Sequence, residues 1–141
     1  MYVIEHQYLH FKNLLTFETV SDYSIIPDFT KSIADSLNVL GLKQNGCVII
    51  KINKDNIEFI IPVDKKFKSC EHYKYKDEIK IVNAVRARHY GNFKGIKKTT
   101  DNLSNYIIKN SMQAITQPYY TVNEFQNDVY DVYIGISENV L

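Results

Sequence analysis

Apolar positions along the chain follow two periodicities that alternate in a fixed order. From Val82 to Ile115, the stretch VNAVRARHYGNFKGIKKTTDNLSNYIIKNSMQAI reads as a strand, a glycine-bearing loop and an amphipathic helix that leads to a further strand. The first half carries a fainter version. Tyr2 to Val20 mixes aromatic, Leu, Thr and Val residues with polar ones in partial alternation, as a strand does. Ser21, Asp22 and Ser24 then supply a turn and a helix cap, and Pro27 suits a first helical turn. Phe29, Ile33, Leu37 and Leu40 recur at spacings of four, four and three, one apolar stripe of a helix. Asp28, Lys31, Asp35 and Asn38 fall on the opposite side, and Gly41 is placed to stop the helix.

Two strands follow. GCVIIKIN and NIEFIIPV, separated by Lys54 and Asp55, predict a hairpin, with Pro62 at a strand end or edge. Lys65 to Asp77 (KKFKSCEHYKYKD) is the most polar stretch and reads as a solvated linker. The second half repeats the order: a strand over Glu78–His89, a break at Gly91-Asn92, and a helix capped by Thr99 or Thr100 with Asp101. Leu103, Tyr106, Ile107 and Asn110 share one face of that helix, with Met112 near its end. After Pro118, YYTVNEF and VYDVYIGIS predict a second hairpin, and the tail SENVL is expected to be loose. An offset of 74 lays Leu9–Phe17 on Asn83–Gly91, Asp28–Leu40 on Asn102–Ala114 and Ile57–Val63 on Asp131–Ser137. The expectation is one α+β domain over residues 1–141, a duplicated βαββ with pseudo-repeats 1–64 and 78–137. Its antiparallel sheet would carry both helices on one face.

The hairpin strands are apolar on both parities: Ile57, Phe59 and Ile61 against Ile60, and Tyr130, Val132 and Ile134 against Tyr133 and Ile136. A face open to water alternates more cleanly. The second sheet face is therefore expected to be covered by a ligand, a partner chain or a loop, or to pack on the chain's own long loops. Composition adds little to this. Seventeen basic and sixteen acidic side chains leave a formal charge of +1, so there is no basic excess of the kind nucleic-acid binding uses. Eleven Tyr and seven Phe without Trp fit half-buried rings with wet hydroxyls, and equally a strand-rich chain. No apolar run approaches the ~20 residues of a membrane span, and the N-terminus lacks the pattern of a secretory signal. A cytoplasmic protein with reduced thiols is the expectation, with Cys47 a small buried hydrophobe.

Few residues offer chemistry. Arg86 and Arg88 share a strand face and could hold a carboxylate or phosphate, or be salt-bridged to neighbours. His89 points to the other face. Tyr119, Tyr120, Tyr130 and Tyr133 suit the walls of a mostly apolar pocket, or ordinary strand packing. Glu58, flanked by apolar residues, is either a desolvated acid or a solvent-facing one. His6, His10 and His72 show no paired metal spacing, and there is no glycine-rich phosphate loop and no nucleophile elbow. No cofactor, metal site or nucleophilic enzyme is expected.

The run RARHYGNFKGI, with IEFIIPVD before it and a Pro-Tyr-Tyr strand after the helix, resembles the GyrI-like family of small-molecule-binding domains. These also form the effector-binding half of multidrug-sensing transcription regulators. The resemblance implies the duplicated βαββ fold and a ligand cleft at its pseudo-twofold axis, and His89, Gly91 and Phe93 match the family's strand-to-helix loop. Two departures stand out. The regulators carry a DNA-binding helical module ahead of this domain, and none is read here. Cation-binding members place a Glu on the strand after the second helix, where this chain has PYYTV with Thr121 or its Tyr neighbours. That weakens a cationic ligand, and it weakens the hydrolase activity found in part of the family. The chain is also similar to a small uncharacterised family of stand-alone chains that begin with an IEH-type strand. Those are met beside bacterial type VII secretion and polymorphic-toxin genes, which implies a protein partner.

The leading expectation is a non-enzymatic binding domain for a small, partly apolar ligand. Phe59, Tyr119, Tyr120 and Tyr133 would be walls, and Glu58, Arg88 and His89 polar anchors. The alternatives are a chaperone or accessory factor that receives a protein partner on the open sheet face or an edge strand, and a small hydrolase on the same cleft. Neither nucleic acid nor a membrane is expected as partner, and the oligomeric state is left open.

Overall fold

A computed structural model describes residues 2–137; the remainder of the SENVL tail, 138–141, lies outside the described residues. Strand β1 spans Val3–Val20, and a 3-10 turn at Tyr23–Ile25 leads into helix α1 (Ile26–Val39). Strands β2 (Ile49–Ile52) and β3 (Asn56–Pro62) follow. Strand β4 (Lys74–Tyr90), a 3-10 turn at Phe93–Gly95, α2 (Ile96–Lys109), β5 (Gln113–Ala114), β6 (Tyr119–Val122) and β7 (Val129–Ser137) complete the chain.

The halves match closely, but at an offset other than 74. Tyr23 corresponds to Phe93, Ile26 to Ile96 and Ile49 to Tyr119, an offset of 70. The β6–β7 loop is three residues longer than the β2–β3 turn, so Ile57 corresponds to Tyr130. Local chemistry repeats with the backbone. Asp22 and Asn92 each accept the amide two residues on, from Ser24 at 3.0 Å and Lys94 at 2.8 Å. These caps sit ahead of the 3-10 turns, which corrects the expected cap of the second helix. Thr99 and Thr100 lie inside α2, and Thr100 Oγ1 donates to the Ile96 carbonyl just as Thr30 Oγ1 donates to Ile26. Gly41 and Ser111 take the same left-handed conformation after the two helices, with φ of 71° and 56°. The linker is shorter than 65–77, because β4 already begins at Lys74.

Pairing runs β4-β1-β3-β2-β6-β7-β5, and β4 also pairs with β7. Six strands thus close into a ring. Residues 14–20 of β1 pair with β3, while residues 3–16 pair with β4. Residues 84–90 of β4 pair with β7. The first part of β1 and most of β4 therefore form a long two-stranded ribbon that joins the halves on one side. On the other side β2 meets β6 over Ile49 opposite Thr121 and Ile50 opposite Tyr120 alone.

Both helices pack on one face. Ile33 and Leu37 of α1 and Leu103 and Ile107 of α2 are buried against Ile57, Phe59, Val85 and Val132. Each such side chain contributes roughly 1.5–3 kcal/mol by leaving water. On the second face Leu14, Ile49, Ile60 and Ala84 are buried in a separate cluster with Leu9, Ile79 and Ile81 of the ribbon. The chain's own ribbon accounts for most of the two-sided apolar pattern. The fit is tight: a Cβ at Gly46, whose φ is 154°, would lie 2.7 Å from the Phe11 ring.

Candidate functional site

The pseudo-twofold axis runs between the two 3-10 turns, where the rings of Tyr23 and Phe93 meet edge-on at 5.0 Å. Below them lies the β2–β6 seam, and the alternation of each strand decides which side of it a residue serves. On the helix side Phe93 packs edge-on against Tyr120 at 5.4 Å and Tyr130 at 5.1 Å. Tyr120 is buried, and its hydroxyl shares a 3.2 Å hydrogen bond with Thr100 Oγ1. His89 is also buried here, with Nδ1 at 2.8 Å from Thr99 Oγ1 and Nε2 at 2.9 Å from the Asn92 carbonyl. Phe59 is fully buried between Phe17 and Phe29. These three are core residues that hold α1, α2 and their entry turns to the sheet. They do not line a wall together with the other four candidates.

Those four, Glu58, Arg88, Tyr119 and Tyr133, project from the second face. Tyr119 and Tyr133 are cross-strand neighbours, and Lys51 Nζ lies 5.9 Å from the Tyr119 ring centre. Glu58 is half-buried, opposite Lys51 on β2 and Glu18 on β1. Arg88 is exposed and committed to a neighbour. Its Nε and Nη2 donate to the Asp131 carboxylate at 2.8 and 3.2 Å, and Arg86 Nη1 stands 3.8 Å away. That forked pairing pushes the Arg88 pKa up from its ordinary value.

A cleft of about 480 Å3 opens over the seam on this face, lined by Gln44, Cys47, Thr121, Glu124, Asp131 and Tyr133 among others. Tyr133 supplies an aromatic wall, and burial raises its pKa. Burial likewise pushes the Cys47 thiol up to about 11, with the Glu124 carboxylate adding to the effect. Gln44 Nε2 donates to Glu124 Oε1, a bond from the first half to the second across the cleft mouth. Asn123 Oδ1 accepts the amides of Phe125 and Gln126, and this turn holds the Phe125 ring at the rim, 99% exposed. A hollow of about 490 Å3 lies on the other side of the same loop, between Pro27, Lys31 and Asn92. Its one aromatic, Tyr130, is 3% exposed, and the rest of its lining mixes amide and charged side chains with Pro27, Val122 and Val129.

Of the cleft residues, only Tyr133 stood among the sequence candidates, although Thr121 marked the position of the family's acid. Asp131 had a legible signal as the lone acid in VYDVYIGIS, on the parity of Tyr133. Glu124 and Phe125 lie in a turn and Gln44 in an isolated bridge to Val63, where periodicity is silent. Among the described residues, no group of three His, Cys, Asp or Glu side chains could hold a metal ion, and no helix is long and apolar enough to cross a membrane.

No family model matches the chain, and no curated protein matches it. Solved structures do. The EcmrR C-terminal domain aligns with a TM-score of 0.68 at 15% identity, over 97% of this chain and 99% of that one. EcmrR in its DNA complex gives 0.73 at 15% identity over 96% of this chain, which spans 57% of that longer chain. A hydrolase from Listeria innocua gives 0.54 at 10% identity, over 96% and 90% of the two chains. At these identities the likeness is one of fold: an antiparallel seven-stranded sheet with two helices.

Proposed function

We propose that the protein is a non-enzymatic binding domain that takes a small, partly apolar ligand in the seam cleft. The observation that carries this reading is the cleft itself. Its volume lies within the range of small-molecule sites, roughly 300–1,000 Å3, and it combines the Tyr133 wall and the exposed Phe125 rim with a few polar anchors. Asp131 stands beside Thr121 in register, so it returns a carboxylate to the neighbourhood of the family's acid. Arg88 and Arg86 already neutralise it. Glu124 at the mouth, held by the Gln44 amide, is then the cleft carboxylate without a basic partner among the described residues. Neutral groups therefore suit the floor beside Asp131, and a basic group would pair only at the mouth.

The same chemistry argues against hydrolysis, even though structural neighbours from Listeria innocua are named hydrolases. No His lines the cleft, its most buried carboxylate is paired, and its thiol is held in the protonated form at neutral pH. Strand addition by a protein partner finds no free edge at the seam, since β2 and β6 are paired on both sides.

NMR titration of the chain with a panel of neutral, ring-containing compounds tests the proposal. The expected result is saturable shifts at Cys47, Thr121 and Tyr133, with affinity falling about tenfold, or ~1.4 kcal/mol, in Phe125→Ala. A panel whose binders leave those resonances in place overturns it, as does a stoichiometric protein partner that shields the cleft residues instead.

A further inference from the structure

The halves fill the space between helix and sheet with different side chains. On α2, Tyr106 lies half-buried beside Leu103 and Ile107, and its hydroxyl donates to Glu5 Oε2 at 2.7 Å. At the offset of 70, its counterpart on α1 is Ser36, and the counterpart of Glu5 is Tyr75. Tyr75 does not replace the missing ring. Its hydroxyl donates to Asn13 Oδ1 at 2.6 Å, and its ring packs edge-on against Phe67 at 5.1 Å. The exchange leaves its trace on the other half too, since Asn83, the counterpart of Asn13, has a buried Oδ1 with no hydrogen-bond partner.

Where Tyr106 fills the second half, the first half has a cavity of about 240 Å3. It is bounded by Phe17, Phe29, Ile33, Leu37, Ile61 and Tyr73, with Ser36 at its margin. It opens beside Leu40, which is 41% exposed. We infer that this pocket between α1 and the sheet is a second binding site, specific for one neutral aromatic ring. The second half seats a phenol ring at the matching helix position, with Ala87 and Thr99 where this pocket has Phe17 and Phe29. Here the two rings are walls, and the space left between them and Ser36 is the site. The size agrees, because an apolar cavity of about 150 Å3 lined by Leu, Ile and Phe holds benzene, and the extra space admits a small ring substituent. The walls agree as well. Phe17 and Phe29 already meet edge-on at 4.8 Å, an arrangement that a further ring extends. No acidic side chain lines the pocket, so a charged amine would be buried without a partner.

The site stands apart from the seam cleft and does not depend on it. The test uses the full chain with labelled methyl groups, titrated with toluene. Saturable ring-current shifts are expected at Ile33, Leu37, Leu40 and Ile61, and not at residues of the seam. Ser36→Tyr, which restores the side chain of the other half, is expected to abolish those shifts and raise the Tm. The proposal is overturned if toluene produces no saturable shift at these methyls in the unmodified protein, a result independent of how the variant folds. It is overturned equally if a folded Ser36→Tyr responds as the unmodified protein does.

Discussion

The two cysteines show how environment separates identical side chains. Cys47 lies in the floor of the seam cleft, where burial and the nearby Glu124 carboxylate raise its pKa to about 11. Cys70 is in the segment before β4. Partial desolvation raises its pKa, but hydrogen bonds from the backbone amides of His72 and Tyr73, with the charge of Lys74, outweigh this and hold it below the ordinary thiol value. The thiolate is the reactive form. At pH 8, iodoacetamide is therefore expected to label Cys70 first, and Cys47 only as the pH climbs toward 11, with peptide mass spectrometry following both. Equal rates at pH 8 would contradict the burial of Cys47. At this scale the sequence was informative about character and silent about partners. Cys47, expected as a buried residue of an apolar strand, is half-buried and lies just ahead of β2 in the cleft lining. Parity correctly set His89 opposite Arg88, but gave no sign that Thr99 and Asn92 would enclose the imidazole. Nor did it separate Phe59 and Tyr120, which face the helices, from Tyr119 and Tyr133.

The elements were legible because their periodicities are strong, and those same periodicities concealed the register. An offset of 74 differs from the true 70 by four residues. Four is close to one helical turn and is an even number along a strand, so the stripe of α1 still overlays that of α2 and β1 keeps its faces on β4. On β3 and β7 the true offset is 73, and the error of one residue lays Ile57 on Asp131 of the opposite face. Only features that occur once, such as the Asp22 and Asn92 caps, distinguish the two registers. The strand read too short was β4, whose start at Lys74 lies in the polar run KYKD ahead of Glu78. The length of β1 was legible over Tyr2–Val20 even though His6 and Asn13, with φ of 59° and 57°, break its alternation. Asn13 is suited to this place, since its side chain tolerates the left-handed region while its Oδ1 receives Tyr75 and its carbonyl receives the Val63 amide. In urea unfolding, Asn13→Gly is expected to lose about 1 kcal/mol through the missing acceptor. Asn13→Val is expected to lose about 2 kcal/mol or more, because a β-branched residue is strained there. A valine variant as stable as the glycine one would show that the backbone conformation is not what Asn13 provides.

Across the whole molecule, ring closure had no counterpart in the sequence reading. It depends on β4 pairing with β7 along one edge and with β1 along the other, and no local pattern encodes a strand's second neighbour. The apolar second parity of β3 and β7 did signal that something covers that face. A long ribbon folded back from the same chain satisfies the signal as well as a ligand does. The ring is also uneven. The ribbon joins the halves over most of its length, whereas the opposite junction rests on two residue pairs and the Val122 amide donating to the Val48 carbonyl at 3.0 Å. A closed loop with one narrow link behaves as a hinge opposite a clasp: thermal opening concentrates at the clasp while the hinge only flexes. The Val122 amide is therefore expected to exchange with deuterium well ahead of the amides paired between β4 and β7, and to slow when the cleft above it is occupied. Similar exchange at both places would mean that the ring breathes as a unit. Ahead of that measurement, the narrow link implies that the two halves can part by a small angle without unfolding, so the width of the cleft is set by adjusting one joint.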